Sequence, residues 1–130
     1  MSMSTLRSHV VAKNAYQRVE ARLSFEKKKE YGSLAHKLPV LILQNGLAQA
    51  TGFLLAKGEV HHQALLDDVA GLLRHSDGKA LHQSVIAADV TQTMLLTRRS
   101  LEAAGWLKRY VQGLLKVDPT GNSTDGTVRS

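Results

Sequence analysis

Apolar residues recur at steps of three and four along most of this chain, which is the period of an amphipathic helix. The first such segment is predicted to form one long helix from about Thr5 to Lys28. Its apolar stripe consists of Ala12, Ala15, Tyr16, Val19 and Leu23. Sustained apolar–polar alternation with hairpin signals is absent from the sequence, and prolines and aromatic residues are few. The pattern therefore predicts an all-α protein.

The middle of the chain is more apolar than its flanks. From Pro39 to Lys57, apolar residues lie on almost every side of the predicted helices, which predicts burial on several sides. Breaks are predicted at Tyr31–Ser33, at Asn45–Gly46 and at Gly58, because glycine readily ends a helix. Pro39 lacks a backbone donor, so it marks a first turn or a kink.

The second half of the chain predicts further helices. One covers about Glu59 to His75, the polar stretch Ser76–Gly78 is a loop, and another helix runs from Lys79 to about Leu96. Asp89 and Thr97 are both suited to cap the start of the last helix, and the pattern does not choose between them. The whole predicts a compact bundle of about five to six helices with a long N-terminal helix.

The composition changes after Val117. Residues 118–130 contain one aliphatic side chain, Val128, among glycine, proline and polar residues. So little apolar surface cannot offset the entropy that ordering costs. The sequence therefore predicts a single helical domain over residues 1–117 and a disordered polar tail over residues 118–130.

Composition excludes several classes of site. The chain has no cysteine, which rules out disulfides, thiolate zinc sites and cysteine nucleophiles and agrees with a reducing cytoplasm. The N-terminal residues hold no apolar stretch typical of a secretion signal. Leu38–Ala56 carries no formal charge, but Gln44, Asn45 and Gln49 would be costly in hydrocarbon. A buried helix pair of a cytoplasmic protein is therefore favoured over a membrane span.

The positive charge is concentrated near the two ends of the chain. The net charge is +6, and residues 1–37 hold eight Lys/Arg against three Glu. Residues 38–88 hold three basic against four acidic residues, and residues 89–117 hold five against two. Because phosphates neutralised by Lys or Arg release counterions, this distribution suits a polyanionic partner. Ordinary solubilising charge is the simpler alternative.

Cationic side chains form two rows on the predicted helices. Arg7, Arg18 and Arg22 fall within roughly 60° of one another at about 100° per residue. The second row, on the last helix, contains Arg98, Arg109 and Lys116. Arginine matches two phosphate oxygens, so both rows suit phosphate contact, although each also fits a solvated face. The run Trp106–Tyr110 interleaves aromatic and cationic side chains, which suits base stacking or packing at the edge of the core.

The remaining titratable residues show no catalytic or metal-ligating spacing. His61 and His62 are adjacent, so on a helix they point about 100° apart and cannot easily share a metal ion. Asp67 and Asp68 allow a rival hypothesis, a small metal-dependent hydrolase, but a solvated polar face accounts for them more simply. The sequence therefore predicts no catalytic residues, no metal site and no cofactor.

Two segments resemble a known family. Tyr31–Leu54 reads YGSLAHKLPVLILQNGLAQATGFL, and Thr97–Tyr110 reads TRRSLEAAGWLKRY. Both are similar to the signature segments of the small-subunit family of the type III-B CRISPR (Cmr) effector complex. Arg99 and Ser100 depart from the family pattern, which has an acidic residue shortly after the threonine.

This resemblance implies a helical, non-catalytic subunit that takes part in antiviral defence as part of a ribonucleoprotein. Family members stack in several copies beside the repeated backbone subunit and line the groove that holds guide RNA and target RNA. The motif's polar positions are Lys37, Asn45, Gln49, Lys108 and Arg109, and we expect these residues to contact RNA. Asn45 and Gln49 are four residues apart, which fits exposure of both side chains as well as burial in a network at a helix junction.

Arg18 and Arg22 of the first cationic row complete the set of expected RNA contacts. Base pairing would read the target sequence, whereas the protein would sense the RNA backbone and its shape. A small helical DNA-binding regulator is the alternative function. It is disfavoured because the turn at Asn45–Gly46 is followed by the apolar Leu47–Ala56 rather than by a polar reading helix.

Overall fold

The computed structural model describes residues 3–124, which form six α-helices followed by one turn of π-helix. The elements are α1 (Met3–Glu20), α2 (Lys28–Asn45), α3 (Leu47–Lys57), α4 (Val60–Leu72), α5 (Gly78–Ala87), α6 (Val90–Tyr110) and the π turn (Val111–Leu115). The predicted all-α bundle is confirmed. Within the described residues, none of the helices is long and apolar enough to cross a membrane.

The first helix is shorter than predicted, because α1 ends at Glu20 and a run of turns leads into α2. These turns bring Arg22 beside α4 and place Phe25 with its ring edge-on to Tyr31, at 6.2 Å between ring centroids. The predicted break at Tyr31–Ser33 is wrong: these residues lie inside α2, and Tyr31 and Gly32 are buried there.

The predicted glycine breaks on either side of α3 are confirmed. Gly46 has a φ of 85° and separates α2 from α3, and Gly58 ends α3 in the left-handed conformation with a φ of 66°. Such positive φ values are strained for residues with a Cβ atom. Pro39 lies within α2 and ends no helix.

Two aspartates fix the starts of the last two α-helices. The Asp77 side chain accepts a hydrogen bond from the amide of Ala80 at the start of α5. At the start of α6, Asp89 accepts from the amide of Gln92, whose side chain accepts from the Asp89 amide in return. This reciprocal capping box chooses Asp89 over Thr97 as the cap of the last helix.

Helix α6 organises the core, since it contacts α1, α2, α3 and α4. The largest fully buried apolar and aromatic side chains are Tyr31, Leu54, Leu65, Leu81 and Leu107. The apolar middle segment is buried on one side only: Leu43 is 70% exposed and Val40 is also exposed. The prediction of burial on several sides is therefore wrong for α2, which lies at the surface of the bundle.

Residues 116–124 fold back on α2. Val117 is buried and forms a β-bridge with Ser123, and the Thr124 amide donates to the carbonyl of Lys116 at 2.6 Å. This turn includes residues 118–124 of the segment predicted to be a disordered tail; residues 125–130 lie outside the described residues. The turn is held by hydrogen bonds between polar groups. The prediction of a disordered tail rested on the scarcity of apolar residues and took no account of such bonds.

The carboxylate of Asp118 organises the turn. It accepts hydrogen bonds from the hydroxyl of Thr120 at 2.6 Å and from the amides of Thr120 and Asn122, each at 2.9 Å. These bonds, the Thr120 hydroxyl first, lower the pKa of Asp118 from its ordinary value of 3.8.

Acidification is expected to loosen this turn. Because the folded pKa of Asp118 lies below the unfolded one, its contribution is present above about pH 4 and is lost as the pH falls through the folded pKa. In the pH range where Asp118 becomes protonated, hydrogen exchange at the Thr120 and Asn122 amides should become faster relative to exchange at amides in α6. Asp118→Asn should show fast exchange already at neutral pH. Protection that is equal in both proteins would contradict the role given to the carboxylate.

Candidate nucleic-acid interface

A buried carboxylate on α4 ties three parts of the fold together. Arg22 donates to Asp68 from Nε at 3.0 Å and from Nη2 at 2.8 Å, and Arg18 donates from Nη1 at 3.2 Å. The hydroxyl of Tyr31 donates to the same carboxylate at 2.5 Å. We call these four residues the Asp68 network. It joins α1, the turn after α1, and α2 to α4.

Burial and charge act in opposite directions within the Asp68 network. Burial alone would lower the pKa of Arg22, but the hydrogen bonds and charge of Asp68 outweigh it, so this pKa is raised and the side chain stays cationic. Burial and the charge of Asp68 raise the pKa of Tyr31 well above its ordinary value of 10.0. The phenol therefore remains a hydrogen-bond donor at neutral pH.

The network limits what its two arginines can offer to RNA. The guanidinium of Arg22 is held by Asp68 and lies 5.2 Å from the centroid of the Phe25 ring, with 23% of its side chain exposed. Arg18 is 41% exposed and keeps an open side. Gly71 makes room for it, because a Cβ there would overlap the guanidinium of Arg18. RNA contact by these two arginines stays a prediction.

Further arginines lie along the same side of α1. A cavity of about 240 Å³ between α1, the end of α4 and α6 is lined by Arg7, Arg74 and Arg99 together with Glu102. It shares Asn14 and Leu72 with the neighbouring cavity beside Arg18 and Arg22. We call this surface the α1 strip, defined by Arg7, Arg18, Arg22, Arg74 and Arg99.

The α1 strip extends the first predicted cationic row. Helical periodicity predicted Arg7, Arg18 and Arg22 on one helix face and gave no sign of Arg74 and Arg99. Arg74 follows α4 with a left-handed φ of 65°. Arg99 belongs to α6. No spacing along the sequence joins these two residues to α1, because only helix packing brings them there.

A second cationic surface lies between α2, α3, α4 and the C-terminal turn. It is an open groove of about 620 Å³. Its lining residues are Lys29, Glu30, Ser33, Leu34, Lys37, Leu41, Phe53, Lys57, His61, His62, Thr120 and Gly121. We call it the α2 groove. Of the predicted RNA contacts, it contains Lys37.

The α2 groove combines cations with aromatic rings. Three lysines face one carboxylate, Glu30, which is itself 3.9 Å from the amine of Lys27. The amine of Lys57 lies 5.7 Å from the centroid of the Phe53 ring. Burial, with a smaller contribution from the charge of His61, lowers the pKa of His62 from 6.5, so His62 is neutral at pH 7. His62 therefore adds no positive charge to the groove at neutral pH, in contrast to the three lysines.

Two of the predicted polar positions lie at the junction of α2 and α3. Asn45 and Gln49 are both exposed, which decides between the exposed and the buried arrangement that the sequence left open. Nδ2 of Asn45 donates to the carbonyl of Leu41 at 3.3 Å, one turn earlier in α2.

Lys108 and Arg109 lie in the last turn of α6. The guanidinium of Arg109, which is exposed, lies 4.8 Å from the centroid of the Trp106 ring. Trp106 stacks on Tyr110 at 5.7 Å and packs against the core, which supports the interpretation that these aromatics edge the core. Lys108 is half-buried. These cations lie on α6, and neither lines the α2 groove.

The two adjacent aspartates of the rival metal hypothesis point to different partners. Asp68 belongs to the Asp68 network, whereas Asp67 accepts a hydrogen bond from the amide of Gly78 at 2.7 Å. Their oxygens are thus committed to holding α4 against α1, α2 and the start of α5. Across residues 3–124, no group of three or more His, Cys, Asp or Glu side chains is placed to hold a metal ion.

Comparisons with known proteins agree with one another. Residues 7–114 match the family model of the CRISPR-associated protein Cas_Cmr5. The CRISPR system Cmr subunit Cmr5 of Thermus thermophilus is 40% identical over 110 residues, which cover 85% of this chain and 96% of that relative. The crystal structure of a CRISPR-associated Cmr5 family protein from the same organism superposes with a TM-score of 0.82 at 39% identity, over 88% of this chain and 99% of that one.

Proposed function

Because this chain belongs to the Cmr5 family of CRISPR-associated proteins, we propose that it is the small, non-catalytic, RNA-binding subunit of a type III-B Cmr effector complex. In this role it contacts the sugar-phosphate backbone of guide and target RNA. Base pairing between the two RNA strands reads the sequence, and the protein supplies charge and shape.

The observation that carries the RNA assignment is the α1 strip. Arg7, Arg74 and Arg99 come from three different elements and line one cavity with a single carboxylate, that of Glu102. Arginine donors in such an arrangement suit phosphate oxygens, whose contacts position a protein without reading sequence. Arg18 adds an open cation beside this cavity, and Arg22 contributes less because Asp68 already holds it.

The other predicted RNA contacts are distributed over the rest of the surface. Lys37 lies in the α2 groove, Lys108 and Arg109 lie at the end of α6, and Asn45 with Gln49 lies at the α2–α3 junction. A subunit that follows a long nucleic acid needs several such weak contacts, which add up through repeated copies in an assembly. All five residues remain part of the proposal.

Exposed apolar side chains support contacts within the complex. Ile86, Val90 and Met94, at the end of α5 and the start of α6, are exposed by 61% or more, and Leu43 is exposed on α2. Large apolar side chains exposed together mark protein–protein contacts. We expect them to meet further copies of this chain or the backbone subunit of the complex.

A salt titration of RNA binding tests the proposed function. We expect weak binding of the purified chain to RNA, with the logarithm of the affinity falling linearly as the logarithm of the salt concentration rises. The double substitution Arg7→Gln and Arg99→Gln should weaken RNA binding. It should also reduce the slope of log affinity against log salt concentration by about one for each phosphate that the protein no longer neutralises. Gel shifts between low and physiological salt measure both quantities.

A matched control removes two charges elsewhere. Lys13 and Lys79 are exposed and line neither the α1 strip nor the α2 groove, so their double glutamine variant should keep the slope of the unchanged protein. Affinity that does not change with salt would contradict phosphate contact. Stronger competition by duplex DNA than by RNA would favour the DNA-binding alternative instead.

A further inference from the structure

We propose that the α2 groove is a binding site for single-stranded RNA, in which a base stacks on Phe53 and the flanking phosphates contact Lys29, Lys37 and Lys57. This inference rests on the proposed function for RNA as the ligand. It adds a second site, away from the α1 strip, and a different mode of recognition. Contact with a paired backbone needs cations only, whereas this groove also offers an aromatic face.

The first observation is the exposure of the Phe53 ring. The side chain is 39% exposed in the wall of an open groove, although a benzyl group gains free energy from burial. The ring of Phe53 meets that of His62 edge to face, at 5.9 Å between centroids and an interplanar angle of 74°, and the amine of Lys57 lies over the Phe53 ring. These contacts orient the ring, and the part of it that stays exposed is open to the groove. Aromatic side chains held in this way are the platforms on which unpaired bases stack.

The lysines are the second observation. Lys57, one helical turn after Phe53, holds its amine 5.7 Å from the ring centroid. A phosphate bound to this amine would keep its own nucleotide next to the ring. Lys29 and Lys37 lie two turns apart on α2, a rise of about 12 Å, so they engage different phosphates of one extended strand. The cations therefore follow a strand along the groove.

The groove favours a single strand over a duplex. Phe53 lies between α2 on one side and α4 on the other, and the turn residues Thr120 and Gly121 also line the cavity. In an A-form duplex each base is paired and both its faces are covered by neighbours, so a duplex could reach the lysines but not the ring. Only a base turned out of a stack can lie on Phe53.

The position of the neutral histidine agrees with this use. The ring of His61 lies 4.3 Å from that of His62, so two imidazoles continue the aromatic wall beyond Phe53. His62 is neutral at pH 7, since burial lowers its pKa. It therefore supports Phe53 as packing and adds no charge. Stacking and charge are carried by different side chains, so substitutions can separate them.

The experiment measures binding of the full chain to a fluorescent oligouridylate and to a duplex RNA of the same length. Phe53→Leu keeps an apolar side chain and removes the aromatic face. We expect it to weaken binding of the single strand about tenfold and to leave binding of the duplex unchanged. The double substitution Lys29→Ala and Lys37→Ala should weaken binding of the single strand and make this binding less dependent on salt. Tyr16→Leu, which removes an exposed aromatic ring on α1 outside the groove, should change neither ligand.

The outcomes separate this inference from the proposed function. Salt-dependent RNA binding that is insensitive to Phe53→Leu overturns the stacking site and leaves backbone contact by the α1 strip intact. Duplex RNA that binds as tightly as the single strand and is weakened equally by Phe53→Leu overturns the single-strand preference. Absence of salt-dependent binding to either RNA in the unchanged protein overturns the proposed function itself.

A crosslink provides a readout that does not depend on a variant. Oligouridylate containing 4-thiouridine should crosslink, on irradiation, to the peptide that contains Phe53, Lys57 and His61. Crosslinks confined to peptides of α1 and α6 would overturn the groove assignment. Thermal melting of Phe53→Leu is recorded in parallel, and if that variant does not fold, the crosslink map decides alone.

Discussion

Asp68→Ala is expected to lower the free energy of unfolding by about 3–5 kcal/mol, because it removes one partner of a buried ion pair. Asp68 is 1% exposed, and four hydrogen bonds from Arg18, Arg22 and Tyr31 offset the cost of burying its charge. Without the carboxylate, the guanidinium of Arg22 loses both of its hydrogen bonds to Asp68, and the buried hydroxyl of Tyr31 loses its acceptor. Chemical denaturation measures the loss. Since proteins of this size are stable by only about 5–15 kcal/mol, it would be a large fraction of the total.

The bonds of Asp68 predict strong coupling between its partners. Combining Asp68→Ala with Arg22→Ala should cost clearly less than the sum of the two single substitutions, since each already breaks the same pair. Glu26→Ala, which removes an exposed carboxylate from the turn before α2, is the charge-matched control and should change stability little. If Asp68→Ala unfolded at the denaturant concentration of that control, the network would not hold α1, α2 and α4 together.

The Asp68 network shows why local patterns predicted the helices better than their ends. The apolar period of the first helix continues to Leu23, yet Leu23 is 45% exposed and the helix ends at Glu20. The chain turns there so that Arg22 can reach Asp68, which lies 46 positions further along the sequence. No local pattern signals that attraction. Even where the signal was local, the sequence offered both Asp89 and Thr97 as caps of the last helix, and only the capping box that Asp89 forms with Gln92 chooses between them.

The same reasoning explains which parts of the candidate interface could be predicted. Lys37, Asn45 and Gln49 are exposed, as contact with RNA requires, but the sequence motif alone did not decide whether Asn45 and Gln49 are exposed or buried. The α2 groove was not predictable, because Lys29 and Lys57 belong to different helices and only packing brings them to one cavity.

A shared sequence motif also mixes two kinds of residue that the structure separates. Tyr31, Leu38 and Ile42 of the motif are buried, and Tyr31 is bonded to Asp68, so they shape the bundle. Lys37, in the middle of the same segment, is exposed. A motif position is therefore a candidate for contact with RNA only where its side chain reaches the surface.

The C-terminal turn gives the second large expected effect. Ending the chain after Lys116 removes the buried side chain of Val117 and two hydrogen bonds, one between Nε2 of His36 and the carbonyl of Val117 at 2.8 Å and one from the hydroxyl of Ser33 to the carbonyl of Pro119 at 2.7 Å. We expect the free energy of unfolding to fall by about 2–4 kcal/mol from the loss of apolar burial and an unpaired buried imidazole. Thermal or chemical denaturation measures the change.

The close fit between Val117 and α2 is the reason for expecting a loss of this size. A Cβ at Gly32 would stand 2.7 Å from the side chain of Val117, so this side chain fills a site that only glycine leaves open. Val117→Ala alone should cost about 1.5–3 kcal/mol, since two buried carbon atoms are removed and a cavity remains. A chain ending after Thr124 keeps every contact described for the turn and is the matched control. If it and the chain ending after Lys116 melted together, residues 117–124 would contribute nothing to the fold, and the wall that Thr120 and Gly121 give to the α2 groove would be dispensable.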